Sequence, residues 1–186
     1  MSSGFRAGEN CLRFCLAPPS PLPDHPVTMT HPERSRPARL PIADLGNRTN
    51  LVFVTVVTKD RKKILASPDI HELLRRAWSD ISQWMVGRYV IMPDHVHLFC
   101  APASPESINV RDWIAYWKSV TARNWPRRAE RPVWQREAWD RQVRRGESYS
   151  GKWDYVRQNP VRHKLVSTPE EWPFQGEMNV LPWHDV

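Results

Sequence analysis

The sequence predicts an α+β fold of the ferredoxin-like, split-βαβ type, with an antiparallel sheet and helices on one face. Three observations predict it. Strand, helix, strand follow one another twice along the chain, and one further helix comes after them. His95-Val96-His97 lies inside an apolar, β-rich run near the middle. Prolines punctuate the joins between segments.

Leu51-Val-Phe-Val-Thr-Val-Val-Thr58 is a β-branched run long enough for a buried strand. Lys59 to Lys63 form a basic turn, and Ser67-Pro68 supplies an N-cap with a first-turn proline. Ile70, Leu73, Leu74, Ala77, Trp78 and Ile81 then share one helical face. Trp84–Met92 returns to a strand pattern, Pro93-Asp94 breaks it, and His95–Cys100 makes a second strand, so the two predict a hairpin ended by Pro102 and Pro105. A second amphipathic helix runs from about residue 107 to 124 on Val110, Trp113, Ile114, Trp117, Val120 and Thr121. Pro126 stops it. Val133–Val143 alternates as a strand, and a last helix starts near Ser148 or Ser150 and ends at Asn159, because Pro160 disfavours helix before it.

Residues 1–45 carry eight prolines without apolar periodicity and read as a disordered, polyproline-like extension with no catalytic role. The domain is expected over 46–175, with a tail over 176–186. No apolar run approaches the ~18 residues that span a bilayer, and the opening residues lack the apolar core of a secretory leader. A cytoplasmic, nucleoid-associated protein without membrane contact is the expectation. Cys11, Cys15 and Cys100 are odd in number and point to reduced thiols rather than a disulfide framework.

The net charge of +7 is segregated. Arg111 to Leu165 hold 14 Lys/Arg against 6 Asp/Glu, and six of the ten Trp residues fall in the same stretch. Cations neutralise phosphates and aromatic faces stack on unpaired bases, so this half reads as a single-strand nucleic-acid surface. A solvated basic surface over a Trp-rich core is the plainer alternative. Lys118 and Arg123 are candidates for DNA contacts within it.

In a strand, His95 and His97 project to the same face while Val96 and Leu98 enter a core. Two neighbouring imidazoles suit a divalent metal; two half-buried sheet histidines are the bland reading. In the last helix Tyr149, Trp153 and Val156 form the packing stripe, and Tyr155 and Asn159 share a second face one turn apart. A phenol and an amide there fit a nucleophile with a metal-orienting ligand; taken alone, lateral packing plus a helix end is the plainer reading.

Met92-Pro-Asp-His-Val-His-Leu98 resembles the HUH motif of the single-strand-specific tyrosine transposases, and Tyr155-Val-Arg-Gln-Asn-Pro-Val-Arg162 resembles the tyrosine signature of their REP-associated (repeated extragenic palindrome) branch. Phe53–Arg61 and Trp139–Arg144 are similar to that family's first strand and pre-tyrosine segment. The likeness covers about residues 51–173. One departure is His163-Lys164, where the family usually has Ala-Gly.

The resemblance implies an HUH endonuclease fold and a metal-dependent strand transferase acting on single-stranded or hairpin DNA. His95 and His97 would hold Mg²⁺ or Mn²⁺, with Asn159 as third ligand. Tyr155 would form a 5′-phosphotyrosine, and Arg144, Arg145, Arg157 and Arg162 would contact DNA or steady the charge. Monomer and homodimer are equally compatible with the sequence. A histidine-triad hydrolase needs a third His where Phe99 stands, and an HxH barrel needs ~250 residues. The remaining alternative is a domesticated protein that binds hairpins without cutting them.

Overall fold

The computed structural model describes residues 50–143 and 148–181. The first strand, β1 (Val52–Val57), buries Val52, Val54 and Val56 and leaves the residues between them half-buried. That period of two is what a strand with one fully covered face requires. A tight turn follows in which Asp60 and Arg61 both take left-handed backbone angles, φ 58° and 55°. Helix α1 (Pro68–Asp80) begins behind Ser67 and buries Ile70, Leu74, Ala77 and Trp78. Strands β2 (Trp84–Ile91) and β3 (His95–Pro102) make the expected hairpin. Pro102 is the last residue of β3 and pairs with Trp84. A proline at a strand end sacrifices no ladder bond.

Helix α2 (Val110–Arg123) starts at an Asn109 cap, whose side-chain oxygen accepts from the Arg111 N–H at 2.8 Å. Its buried stripe of Val110, Trp113, Ile114, Trp117 and Thr121 is the periodic one. The predicted strand over 133–143 is shorter than expected. Only β4 (Trp139–Gln142) pairs along β1, and Trp134 adds an isolated bridge to Thr58. Between them the carbonyls of Gln135 and Arg136 accept from the Lys118 ammonium at 2.6 and 3.0 Å. Those carbonyls are drawn towards α2, and the ladder is interrupted there.

The sheet order is β4-β1-β3-β2, extended by β5 (Gln175–Glu177) at the β2 edge, and every neighbouring pair is antiparallel. The four-strand order is that of the split-βαβ arrangement. Residues 176 onward were expected as a tail. Instead Gly176 and Glu177 complete an edge strand, Arg88 pairs with Glu177 at 3.3 Å, and Leu181 is buried. Gly87 in β2 is what admits Leu181, since a Cβ there would lie 2.6 Å from its side chain.

Helices α1 and α2 cover one sheet face, packing on Val52, Val54, Val56, Val96, Leu98 and Cys100. The further helix lies on the other. There α3 (Tyr149–Arg157) sets Tyr149 and Val156 against Leu51, Phe99 and Ala101, with Trp172 and Leu181 completing the cluster. The helix does not run on to Asn159. It is capped at Gln158, and Asn159–Arg162 form a separate turn, α4, with Pro160 in its first positions. Proline is tolerated there because its missing N–H has no partner in a first turn.

Trp113, Trp117, Trp125 and Trp134 are buried. These four belong to the core and offer no stacking surface. Among the described residues, no helix is long and apolar enough to cross a membrane.

Candidate active site

His95 and His97 share the phase of Phe99 and Ala101 on β3, so they face the side of the sheet that carries α3 and α4. Their Nε2 atoms converge to 3.1 Å, and each ring is gripped from behind. His95 Nδ1 lies 2.6 Å from Asp94 Oδ1, and His97 Nδ1 lies 2.8 Å from Thr55 Oγ1. Thr55 stands opposite His97 in the β1–β3 register, which is how the hydroxyl arrives there. Phe53, two residues earlier, stacks on the His97 ring at 5.4 Å and 22°.

These contacts constrain the protons. Asp94 is an acceptor only, so His95 donates through Nδ1 and keeps a bare lone pair on Nε2. His97 Nε2–H then donates to that lone pair, and Thr55 O–H donates to His97 Nδ1. A threonine hydroxyl can also accept. With the Thr55 bond reversed, both Nε2 lone pairs are open to a shared cation. Backing of an imidazole by a carboxylate or hydroxyl is the usual way a metal-binding His is oriented.

Burial, then the neighbouring His95, pushes His97 down to about 3, and burial also lowers His95 although Asp94 opposes it. Asp94 lies below the ordinary carboxylate range: its burial acts upward, but the hydrogen bonds and charges of His95 and Arg61 outweigh it. Both imidazoles are therefore neutral near pH 7, as ligands must be. Arg61 reaches Asp94 Oδ2 at 3.3 Å from the left-handed turn.

Tyr155 projects from α3 with 68% of its surface exposed, apart from the stripe that packs. The Arg162 guanidinium sits 3.9 Å above its ring, donates to the Tyr155 carbonyl at 2.7 Å and to Asn159 Oδ1 at 2.5 Å. The charge of Arg162 also acts on His97, which links the tyrosine turn to the His pair. Beside Tyr155 is a cavity of about 550 Å³ walled by Phe53, Phe99, Trp139 and Val156 among others. Trp139 is 40% exposed at its wall.

The other sequence-derived candidates divide. Arg157 is half-buried and paired with Glu170. Arg144 and Arg145 lie outside the described residues. Lys118 is buried and committed to two backbone carbonyls, so it is a structural tie and not a DNA contact. Arg123 is exposed, but on α2, across the sheet from the His pair. Thr55, Asp94 and Arg61 went unrecognised as site residues. Asp94 could have been found from its place directly before His95; Thr55 needed the register.

Among the described residues, no three His, Cys, Asp or Glu side chains form a ready-made metal group. The donor chemistry is that of two converging imidazole nitrogens, with the His163 ring at the end of α4 beside them. That set fits a divalent ion.

Comparison with known proteins agrees with this architecture. The family model described as "Transposase IS200 like" matches residues 49–152, which include the His pair and stop short of Tyr155. A Haemophilus influenzae protein assigned as a REP-associated tyrosine transposase is 30% identical over 141 residues, covering 68% of this chain and 78% of its own. The REP-associated tyrosine transposase of Escherichia coli is 26% identical over 125 residues, 66% of this chain and 73% of that one. A solved structure of a REP-associated tyrosine transposase bound to a REP hairpin superposes with a TM-score of 0.58 at 21% identity, over 69% of this chain and 76% of that chain. The fold, the paired histidines and these relatives together place the chain in the IS200-like transposase family, among its REP-associated tyrosine transposases.

Proposed function

We propose that this protein cuts and rejoins single-stranded DNA beside repeat hairpins, with Tyr155 as nucleophile and a divalent ion, Mg²⁺ or Mn²⁺, held at His95 and His97. The observation that carries this reading is the convergence of the two Nε2 atoms at 3.1 Å, each ring held from behind, on the sheet face that the tyrosine helix covers. The hairpin in the related structure supports DNA of that form as the partner.

Tyr155 Oη attacks the scissile phosphorus and gives its proton to solvent. A phosphotyrosine bond forms to the 5′ end, the P–O3′ bond breaks, and the 3′ oxygen leaves as a hydroxyl. Attack by an incoming 3′-OH reverses these steps and frees the phenol, so the phosphodiester energy is conserved. When bound, the ion supplies Lewis-acid polarisation of the phosphate. Arg162, above the Tyr155 ring, steadies the negative charge that develops on the phenol oxygen. Asp94 and Thr55 hold the two imidazoles in place. Trp139 and Phe53 offer apolar faces beside the tyrosine for an unpaired base.

The test is incubation with end-labelled single-stranded hairpin DNA and Mn²⁺ or Mg²⁺, resolved on a denaturing gel. A protease-sensitive protein–DNA band that disappears with EDTA and in Tyr155→Phe is expected. Tight binding on a native gel with no covalent band would overturn the nuclease and leave a hairpin-binding protein.

A further inference from the structure

Two side chains of the α4 turn behave differently. The Asn159 amide oxygen already accepts from Arg162 at 2.5 Å. His163, at the end of the same turn, sets its ring 6.4 Å from the His95 ring, tilted by 60°. Its backbone is fixed, since its N–H donates to the Asn159 carbonyl at 2.9 Å. Its side chain is exposed, and among the described residues its ring makes no hydrogen bond or ion pair, so it can turn without breaking one. His163 also acts electrostatically on His95, as a close neighbour must. For comparison, the rings of His95 and His97, which share the proposed ion, are 4.6 Å apart.

We propose that His163 turns inward to join His95 and His97 as a third imidazole ligand, making a nitrogen-rich site that takes a first-row transition ion such as Mn²⁺ in preference to Mg²⁺. Asn159 then keeps its bond to Arg162. The preference follows from donor type. Mg²⁺ demands near-ideal octahedral oxygen coordination and holds its waters, whereas the affinity of nitrogen donors rises along the first-row series that Mn²⁺ opens. The inference rests on the reading of His95 and His97 as metal ligands.

The experiment measures Mn²⁺ binding to the full chain by electron paramagnetic resonance, without DNA, in the parent protein and in His95→Ala, Asn159→Ala and His163→Ala, with Mg²⁺ as competitor. Melting curves check that each variant folds; His163 is exposed, so its removal leaves the core intact. His163→Ala should weaken Mn²⁺ about tenfold or more, since losing a ligand costs no less than losing the outer-shell partner of one. The same variant should need proportionately less Mg²⁺ to displace the manganese. Unchanged Mn²⁺ affinity in His163→Ala, alongside loss in His95→Ala, overturns the third ligand and leaves the two-histidine reading standing. Loss in Asn159→Ala with none in His163→Ala also overturns it, and returns the position to the amide. Binding indifferent to His95→Ala overturns both readings.

Discussion

The guanidinium of Arg162 lies 3.9 Å above the Tyr155 ring and donates to the Asn159 side-chain oxygen at 2.5 Å. One cation thus ties together the phenol and the amide of the tyrosine turn. The contact exists because α3 stops at Gln158 and α4 restarts the chain at a new angle. Residues 155 and 162, seven apart across that break, meet face to face.

Arg162→Ala should lower the single-turnover cleavage rate about 10²-fold, the usual cost of removing one preorganised charge-stabilising donor. Hairpin binding should fall far less. Arg162→Lys should restore only part of the rate, because an ammonium cannot both lie flat on the ring and donate to two oxygens. Full activity in Arg162→Ala would show that the cation serves packing alone.

His95→Ala and His97→Ala should each abolish metal-dependent cleavage while the protein still folds and binds hairpin DNA. Their stability cost should stay within about 1–3 kcal/mol, the value of a buried hydrogen-bonded group. Denaturant titration beside the cleavage assay separates the two effects. Cleavage at the parent rate in either variant would remove the metal site.

Acid should destabilise the fold in a defined window. His97 is held neutral down to about 3 in the folded protein, whereas in the unfolded chain it protonates near its ordinary 6.5. The unfolded state therefore binds more protons below 6.5, and stability present above that pH drains away as it falls towards 3. His95 and His71, both also lowered chiefly by burial, act in the same direction. Urea midpoints at pH 7 and pH 5 should differ, and the gap should narrow in His97→Asn. An equal gap in both proteins would locate the titration elsewhere.

Lys164→Gly should stabilise the protein by about 0.5–1 kcal/mol. Lys164 has φ 56° and closes α4 with the Schellman pattern: its own N–H donates to Val161 and the Leu165 N–H to Pro160, both at 2.9 Å. Glycine adopts that angle without a Cβ clash. A lower denaturation midpoint for the variant would mean that the lysine side chain contributes more than its backbone strain costs.

Much of the scaffold was legible because the elements are strongly periodic. The alternation in Val52–Val57 and the stripes of α1 and α2 are carried by near neighbours in the chain. The edge strand β5 was missed because Gln175-Gly-Glu177 has no strand composition; its pairing comes from β2, far away in sequence. Lys118 misled for a related reason. A lysine on a basic helix reads as a solvated cation, and only the approach of the 135–136 carbonyls turns it inward.

By itself the sequence determined that His95 and His97 share a face, that Tyr155 stands off its helix's packing stripe, and that Pro160 must break that helix nearby. These are consequences of repeats of 2.0 and 3.6 residues and of proline's missing N–H. The tertiary structure decided what those side chains meet: Thr55 and Asp94 behind the imidazoles, Arg162 over the phenol, His163 beside His95. Such contacts join residues far apart in the chain, 42 residues in the case of Thr55 and His97. They depend on strand register and chain reversal, which no local repeat encodes.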